Sequence, residues 1–381
     1  MVNYQSSSLA LQAVESLLPR KLPGASGGGE PVLEILLVDS HSSKTEREIL
    51  RRAELPSCVR RFFLDENVGY GRGNNFAWER SRGEYALIIN PDTVVDPGAV
   101  GAMVDYLAVH GDCGAVGPKT FWDEERRFVL SPTEPLSILR ILSVRLAHHF
   151  PAWGKFVDRR YFDASLRYWR AKAPVTVSML SGGCFMVPRR VIERIGLFDP
   201  RFPLYFEDAD WCLRARRAGY RLAYLPSARI AHFVNQSGRK EEKAMGLFQE
   251  SMEIFLRKHE GEISRRLLPV LENWAARWGE ACFSRRKADR EDAGTSSFKD
   301  LGEISQIPPD LPGIPQRGAR RYLLQISNHP VFLHSFGGFF PEPSFRFTPS
   351  MWKRLWPGRF FARWVALPSR RSVGCWTWSK T

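Results

Sequence analysis

Short apolar runs that end in polar residues, separated by helix-patterned stretches, constrain the first half of this chain most. Residues 32–38 are almost unbroken apolar and stop at Asp39, and residues 85–89 stop at Asn90-Pro91-Asp92-Thr93. Runs this short and this continuous are the mark of strands buried on both faces. Residues 9–18 carry one apolar helical face, and 74–82 read as a helix stopped by Gly83. Val2-Asn3-Tyr4 reads as the stump of a strand, 61–64 as a short one, and the Gly-rich stretch 23–31 as a loop. The alternation predicts an α/β sheet flanked by helices. Tyr4, Asp39 and Asp92 would then stand at the carboxyl ends of strands, where open α/β sheets take ligands.

The run Leu204-Tyr205-Phe206-Glu207-Asp208-Ala209-Asp210-Trp211 puts three carboxylates within four positions directly after an aromatic stretch. Carboxylates this close repel one another and resist burial unless something offsets their charge. A metal ion, a cationic group or a proton-transfer task would do so. The first turn of a solvated helix also tolerates acids, because they complement its dipole. A helix over 208–218, stopped by Gly219, follows from the spacing, and 220–225 read as a strand closed by Pro226. Residues 241–259 show a further helical face.

With 381 residues the chain has room for one large domain and a smaller one. Its net charge of +14 favours anionic partners at long range, whether nucleotide phosphates or phospholipid headgroups. Nucleic acid is not expected, since no recognised binding motif accompanies the charge. The six cysteines lack both metal-ligand spacing and the clustering of a disulfide framework, so reduced thiols are expected. Neither a signal peptide nor a membrane-crossing run is expected. Residues 135–173 are basic and aromatic with an apolar face, which suits either a solvated helical surface or contact with a membrane or an acceptor phosphate. Residues 284–317 read as a charged, Pro- and Gly-rich linker, after which 322–326, 331–334, 359–367 and 373–378 read as strands. The step Pro357-Gly358-Arg359-Phe360 loosely resembles a β-sandwich of fibronectin type III character.

Four motifs stand in order: Val38-Asp39-Ser40; Asn67-Val68-Gly69-Tyr70-Gly71-Arg72-Gly73; Asn90-Pro91-Asp92-Thr93; and Ser181-Gly182-Gly183 leading through Gly196-Leu197-Phe198-Asp199 to Glu207-Asp208-Ala209-Asp210, with His232 beyond. This order resembles the family 2 glycosyltransferases, in their rhamnosyltransferase-like and galactofuranosyltransferase-like branch, over about residues 2 to 260. The resemblance implies a GT-A nucleotide-sugar-binding sheet and inversion at the transferred sugar. It implies an NDP-sugar donor, UDP- or dTDP-linked, and a lipid-linked or polysaccharide acceptor in cell-surface glycan synthesis. Tyr4, Asp39, Asn67, Gly69, Gly71, Asn90 and Asp92 would lie on the donor side, and Gly182, Gly183 and Trp211 on the acceptor side. Asp208 would be the base, with Glu207 and Asp210 orienting acceptor or helix. Asp92 and His232 would approach Mg²⁺ or Mn²⁺, with Asn90 standing where the family's Asp-x-Asp has its first acid.

The implied organisation is a transferase domain over 1–265 with a shortened first strand, a helical tail and linker over 266–317, and a small β-rich module over 318–381. Either the chain as given starts late or its first strand is cut short. A cytoplasmic protein, peripheral at the membrane, is expected. The competing reading is a catalytically silent sugar-binding or scaffold protein that keeps the fold. A dinucleotide-dependent oxidoreductase is excluded, because Gly69, Gly71 and Gly73 are spaced Gly-x-Gly-x-Gly and follow a later strand.

Overall fold

The computed structural model describes all residues except 19–32, 132–133, 135–136, 234–240, 262–297, 306–307, 330–331 and 333–334, and omits the side chains of 145, 148–149, 151 and 241–245. The loop expected at 23–31 lies outside the described residues. Along the chain run β1 (Val2–Asn3), α1 (Ser7–Leu17), β2 (Ile35–Asp39), α2 (Lys44–Arg52), β3 (Val59–Phe63), α3 (Gly69–Glu79), β4 (Tyr85–Ile89), β5 (Thr93–Val95), α4 (Ala99–Val109) and β6 (Cys113–Phe121). There follow β7 (Phe128–Leu130), α5 (Ile138–His149), α6 (Pro151–Arg170), β8 (Val175–Val177), β9 (Cys184–Pro188), α7 (Arg189–Ile195), α8 (Glu207–Arg217), β10 (Arg221–His232) and α9 (Glu241–His259). The last are β11 (Lys299–Ile304), β12 (Asp310–Pro312), β13 (Arg321–Ser327), β14 (Phe336–Phe340), β15 (Ser344–Arg346), α10 (Pro349–Arg354), β16 (Gly358–Leu367) and β17 (Arg371–Lys380).

The chain divides into two compact units, one of residues 1–121, 133–135 and 171–259, the other of 122–132, 136–170 and 260–381. The first is α/β. Strands β1, β2 and β3 form a parallel sheet in that order. In the second sheet β4 pairs antiparallel with β9, β9 meets β6, and β6 runs parallel to β10. Strands β8 and β5 pair with the beginning and the end of β10. Ala10, Ala13 and Val14 of α1, Leu37 of β2, Met103 and Leu107 of α4, and Met186 of β9 share one core, so the apolar runs read from the sequence do close a common interior.

Two elements differ from the sequence reading. Helix α3 begins at Gly69, five residues before the expected start, and takes in the whole glycine run. Space explains the glycines: a Cβ at Gly73 would lie 2.9 Å from Val2, and one at Gly71 would lie 3.4 Å from the Phe198 Cβ. Strand β10 does not close at Pro226 but continues to His232, and Pro226 falls within a register shift between Leu225 and Arg229. A bulge is where a strand accommodates a residue that cannot donate to the ladder. The continuation matters, because it delivers His232 opposite Thr93.

In the second unit β14, β13, β16 and β17 form an antiparallel meander, with β11 parallel to β17 and β7 beside β14. Strands β12 and β15 make a separate ribbon. This is one large sheet with a ribbon, unlike the two facing sheets of a fibronectin-type sandwich. The stretch 299–317, expected as linker, contains β11 and β12, while 284–297 lie outside the described residues. Of the strand expected at 331–334, positions 331, 333 and 334 lie outside the described residues, and the strand beside β13 is β14. Stacked Trp122 and Phe336, together with Phe128, Trp364 and Trp378, fill this unit's core.

Candidate active site

Strand ends build the site. Positive backbone φ at Gln5 (56°) and His41 (62°) follows β1 and β2, and Tyr205 (70°) and Phe206 (65°) precede α8. Such conformations cost roughly 1–3 kcal/mol each and cluster where geometry is held for a purpose.

At the end of β2 the Asp39 carboxylate is fully buried. It accepts from Asn3 Nδ2 at 2.9 Å, Ser42 N at 3.1 Å and Arg47 Nε at 3.0 Å. These three donors tie the ends of β1 and β2 to α2, whose cap is Ser43. Ser40 Oγ donates to Asn67 Oδ1 at 3.1 Å, and Gly69 N donates to the same oxygen at 3.0 Å. Asn67 is exposed and Tyr4 half-buried at this edge. Gly69 has φ +80°, and a Cβ there would lie 2.7 Å from the Pro203 carbonyl oxygen.

The loop after β4 meets the end of β10. His232 Nε2 lies 3.2 Å from Asn90 Nδ2 and 3.1 Å from Asp92 Oδ1. The Asn90 amide and the Asp92 carboxylate thus both face His232 Nε2. Asp92 Oδ1 is buried without a hydrogen-bond partner. A buried carboxylate oxygen with no donor on it, beside an imidazole, is a place where a cation would offset the charge. The carboxylate would hold Mg²⁺ or Mn²⁺, with the imidazole as a further donor. Among the described residues no group of three or more His, Cys, Asp or Glu could hold a metal ion, so the protein would supply this pair alone.

The three acids of α8 occupy three different environments. Asp210 is fully buried against Lys258 at 2.5 Å, His259 at 2.7 Å and Arg214 at 2.8 Å. Burial pushes its pKa up, but these partners outweigh burial and hold it below the usual range. It therefore anchors α8 to α9 as a permanent anion. Glu207 is buried, with Oε2 unpartnered. Desolvation first, and the neighbouring Asp208 second, push its pKa up to about 8. Asp208 is half-buried, and burial raises its pKa against the pull of backbone N–H bonds. Its Oδ2 accepts from Gly182 N and its Oδ1 from Ala209 N, both at 2.7 Å.

Gly182 and Gly183 join the two halves. A Cβ on Gly182 would lie 3.2 Å from Asp208 Oδ2, and one on Gly183 would lie 2.6 Å from His232 Cε1. Asn90 N donates to the Gly183 carbonyl at 3.0 Å. Asp208 and the Asn90–Asp92–His232 group thus lie against consecutive peptides. Tyr70, which sequence reading passed over as part of a glycine run, donates its hydroxyl to the Gly182 carbonyl at 2.7 Å. Burial and the two α8 acids raise its pKa well above the ordinary value, so it remains a donor. A lone aromatic among glycines was the available signal. Trp211, expected on the acceptor side, points into the core instead. It is fully buried, with its ring 5.5 Å from that of Phe185 and its Nε1 donating to the Gly196 carbonyl at 3.1 Å.

Residues 2–253 match the family described as "Glycosyltransferase like family 2". The chain is 28% identical over 259 residues to the N-acetylglucosaminyl-diphospho-decaprenol L-rhamnosyltransferase of Mycobacterium tuberculosis, covering 64% of this chain and 81% of that one. It is 25% identical over 189 residues to the rhamnosyltransferase WbbL of Escherichia coli, covering 45% of this chain and 63% of that one. Among solved structures it is similar to a mannosyltransferase of Pyrobaculum calidifontis, with 18% identity, a TM-score of 0.48, and coverage of 77% of this chain and 74% of that one. With its motifs in order and two thirds of its length matched, the chain belongs to glycosyltransferase-like family 2.

Proposed function

We propose that this protein is an inverting glycosyltransferase. It moves a sugar from a nucleoside-diphosphate donor, UDP- or dTDP-linked, to a hydroxyl of a lipid-linked or polysaccharide acceptor in cell-surface glycan synthesis. The observation that carries the reading is the Gly182-Gly183 step, which sets a half-buried carboxylate beside the Asn90–Asp92–His232 group. Displacement at a sugar carbon needs a proton acceptor on the attacking side and charge stabilisation on the leaving side.

Asp208 takes the proton of the attacking hydroxyl. The acceptor oxygen bonds to the sugar carbon as the bond to the diphosphate breaks, and attack from the opposite face inverts that centre. The Gly182 N–H fixes the orientation of Asp208. Glu207, neutral below its raised pKa, adds no second charge beside it. Asp210 holds the helix rather than the substrate. Asp92 and His232 would hold Mg²⁺ or Mn²⁺, which when bound would offset charge on the diphosphate. Tyr4, Asn67 and Gly69 form the nucleoside edge, positioned by the buried Asp39 cluster. The lipid-diphosphate acceptor named for the mycobacterial relative supports an acceptor of that class.

The test is incubation with UDP- and dTDP-sugars, Mn²⁺ and N-acetylglucosaminyl diphosphate carrying a short isoprenoid chain, with the product's anomeric configuration read by NMR. Transfer with inversion is expected. Retention of configuration, or no transfer from any donor, contradicts the reading.

A further inference from the structure

The left-handed pair at Tyr205 and Phe206 has an effect on the surface. Bulky residues rarely adopt positive φ, and two in succession need support from their surroundings. Helix α9 supplies it. Ser251 Oγ donates to the Leu204 carbonyl at 2.7 Å, and the Phe206 ring packs on Phe248 at 4.9 Å and Phe255 at 5.8 Å. The result is that Tyr205 stands out from the turn, 40% exposed, in edge contact with Phe248, itself 38% exposed, at 5.8 Å. Two large aromatic rings are thus partly exposed, that of Tyr205 just before the acids of α8 and that of Phe248 on α9.

We infer that Tyr205 and Phe248 form an aromatic shelf that takes the apolar face of the acceptor's sugar ring and presents its hydroxyl to Asp208. This rests on the proposed transferase reading and names where its acceptor binds. A sugar ring has a face of C–H groups and a rim of hydroxyls. A shelf of two aromatic rings offers an apolar body to that C–H face. The position fits too, since Tyr205 lies three residues before Asp208, in the left-handed pair that leads into α8. The strained turn makes the shelf rigid, so binding orders few side chains.

The experiment uses the full chain and two probes in calorimetry: UDP with Mn²⁺, and N-acetylglucosaminyl diphosphate carrying a short isoprenoid chain. Tyr205→Ala and Phe248→Ala are each expected to weaken binding of the sugar probe about tenfold. UDP affinity should stay unchanged, and Tyr205→Phe should restore most sugar binding. In turnover the alanine variants should raise KM for the acceptor more than they lower kcat. Equal sugar affinity in wild type and both variants overturns the shelf, as does absence of sugar-probe binding in the wild type. The nucleotide arm is independent and is run with dTDP as well, so a wild type that binds neither UDP nor dTDP counts against the transferase reading itself.

Discussion

Glu207 carries the clearest consequence of a single residue's surroundings. Its pKa is raised to about 8 by burial, against an ordinary carboxylate in the unfolded chain. The folded protein therefore holds a proton the unfolded chain has lost, and stability falls as pH rises from the carboxylate range through 8. Glu207→Gln removes this dependence. We predict that its melting temperature exceeds the wild type's at pH 9, with the gap closing toward pH 5, as read by calorimetric scans. A gap that widens toward low pH contradicts the assignment. None of this was legible from sequence, where Glu207, Asp208 and Asp210 are three similar acids in one helical turn. Lys258, which fixes Asp210 as an anion, comes from a helix some fifty residues on. Asp92 and His232 were paired only through family likeness, and their facing atoms emerge from the ladder between β5 and β10.

Helices and strands were legible where periodicity carried the signal. Strand β4 and helix α9 fall where the apolar pattern put them. The start of α3 did not, because a glycine run reads as a loop and each interior glycine costs a helix about 1 kcal/mol. Close packing against Val2 and Phe198 offsets that cost. Proline misled at β10 for the corresponding reason, since the bulge that accommodates it is set by the partner strand β6. The loop before β9 offers a direct test. A methyl group on Gly183 would lie 2.6 Å from the His232 ring. Gly183→Ala should therefore shift the imidazole and raise the Mn²⁺ concentration for half-maximal activity by about 10- to 100-fold. An unchanged metal titration in a folded variant would show that His232 has no part in metal binding.

For the molecule as a whole, the two-unit division was only partly visible, because residues 136–170 belong with the distant C-terminal strands. Pairings such as Arg363 with Asp158 at 2.6 Å hold them there and leave no local pattern. Among the described residues no helix is long and apolar enough to cross a membrane. Helices α5 and α6 nevertheless expose Leu139, Trp153 and Phe156 beside exposed Lys155, Arg159 and Arg160. We predict that this surface binds anionic membranes, each basic residue contributing about 1 kcal/mol. Vesicles rich in phosphatidylserine should sediment the protein at low salt and release it at high salt. Arg159→Glu with Arg160→Glu should weaken that binding, and an unchanged double variant contradicts the proposal.

The most direct measurement compares transfer and donor binding in Asp208→Asn. This substitution keeps the side chain's shape and its Oδ1 acceptor for the Ala209 N–H, gives up the Oδ2 acceptor of the Gly182 N–H, and cannot take a proton at the acceptor hydroxyl. Single-turnover transfer should fall by about 10²- to 10⁴-fold while UDP affinity in the presence of Mn²⁺ stays at the wild-type value. Near-normal transfer by Asp208→Asn would contradict the assignment of the base and with it the chemistry assigned to the Gly182-Gly183 junction.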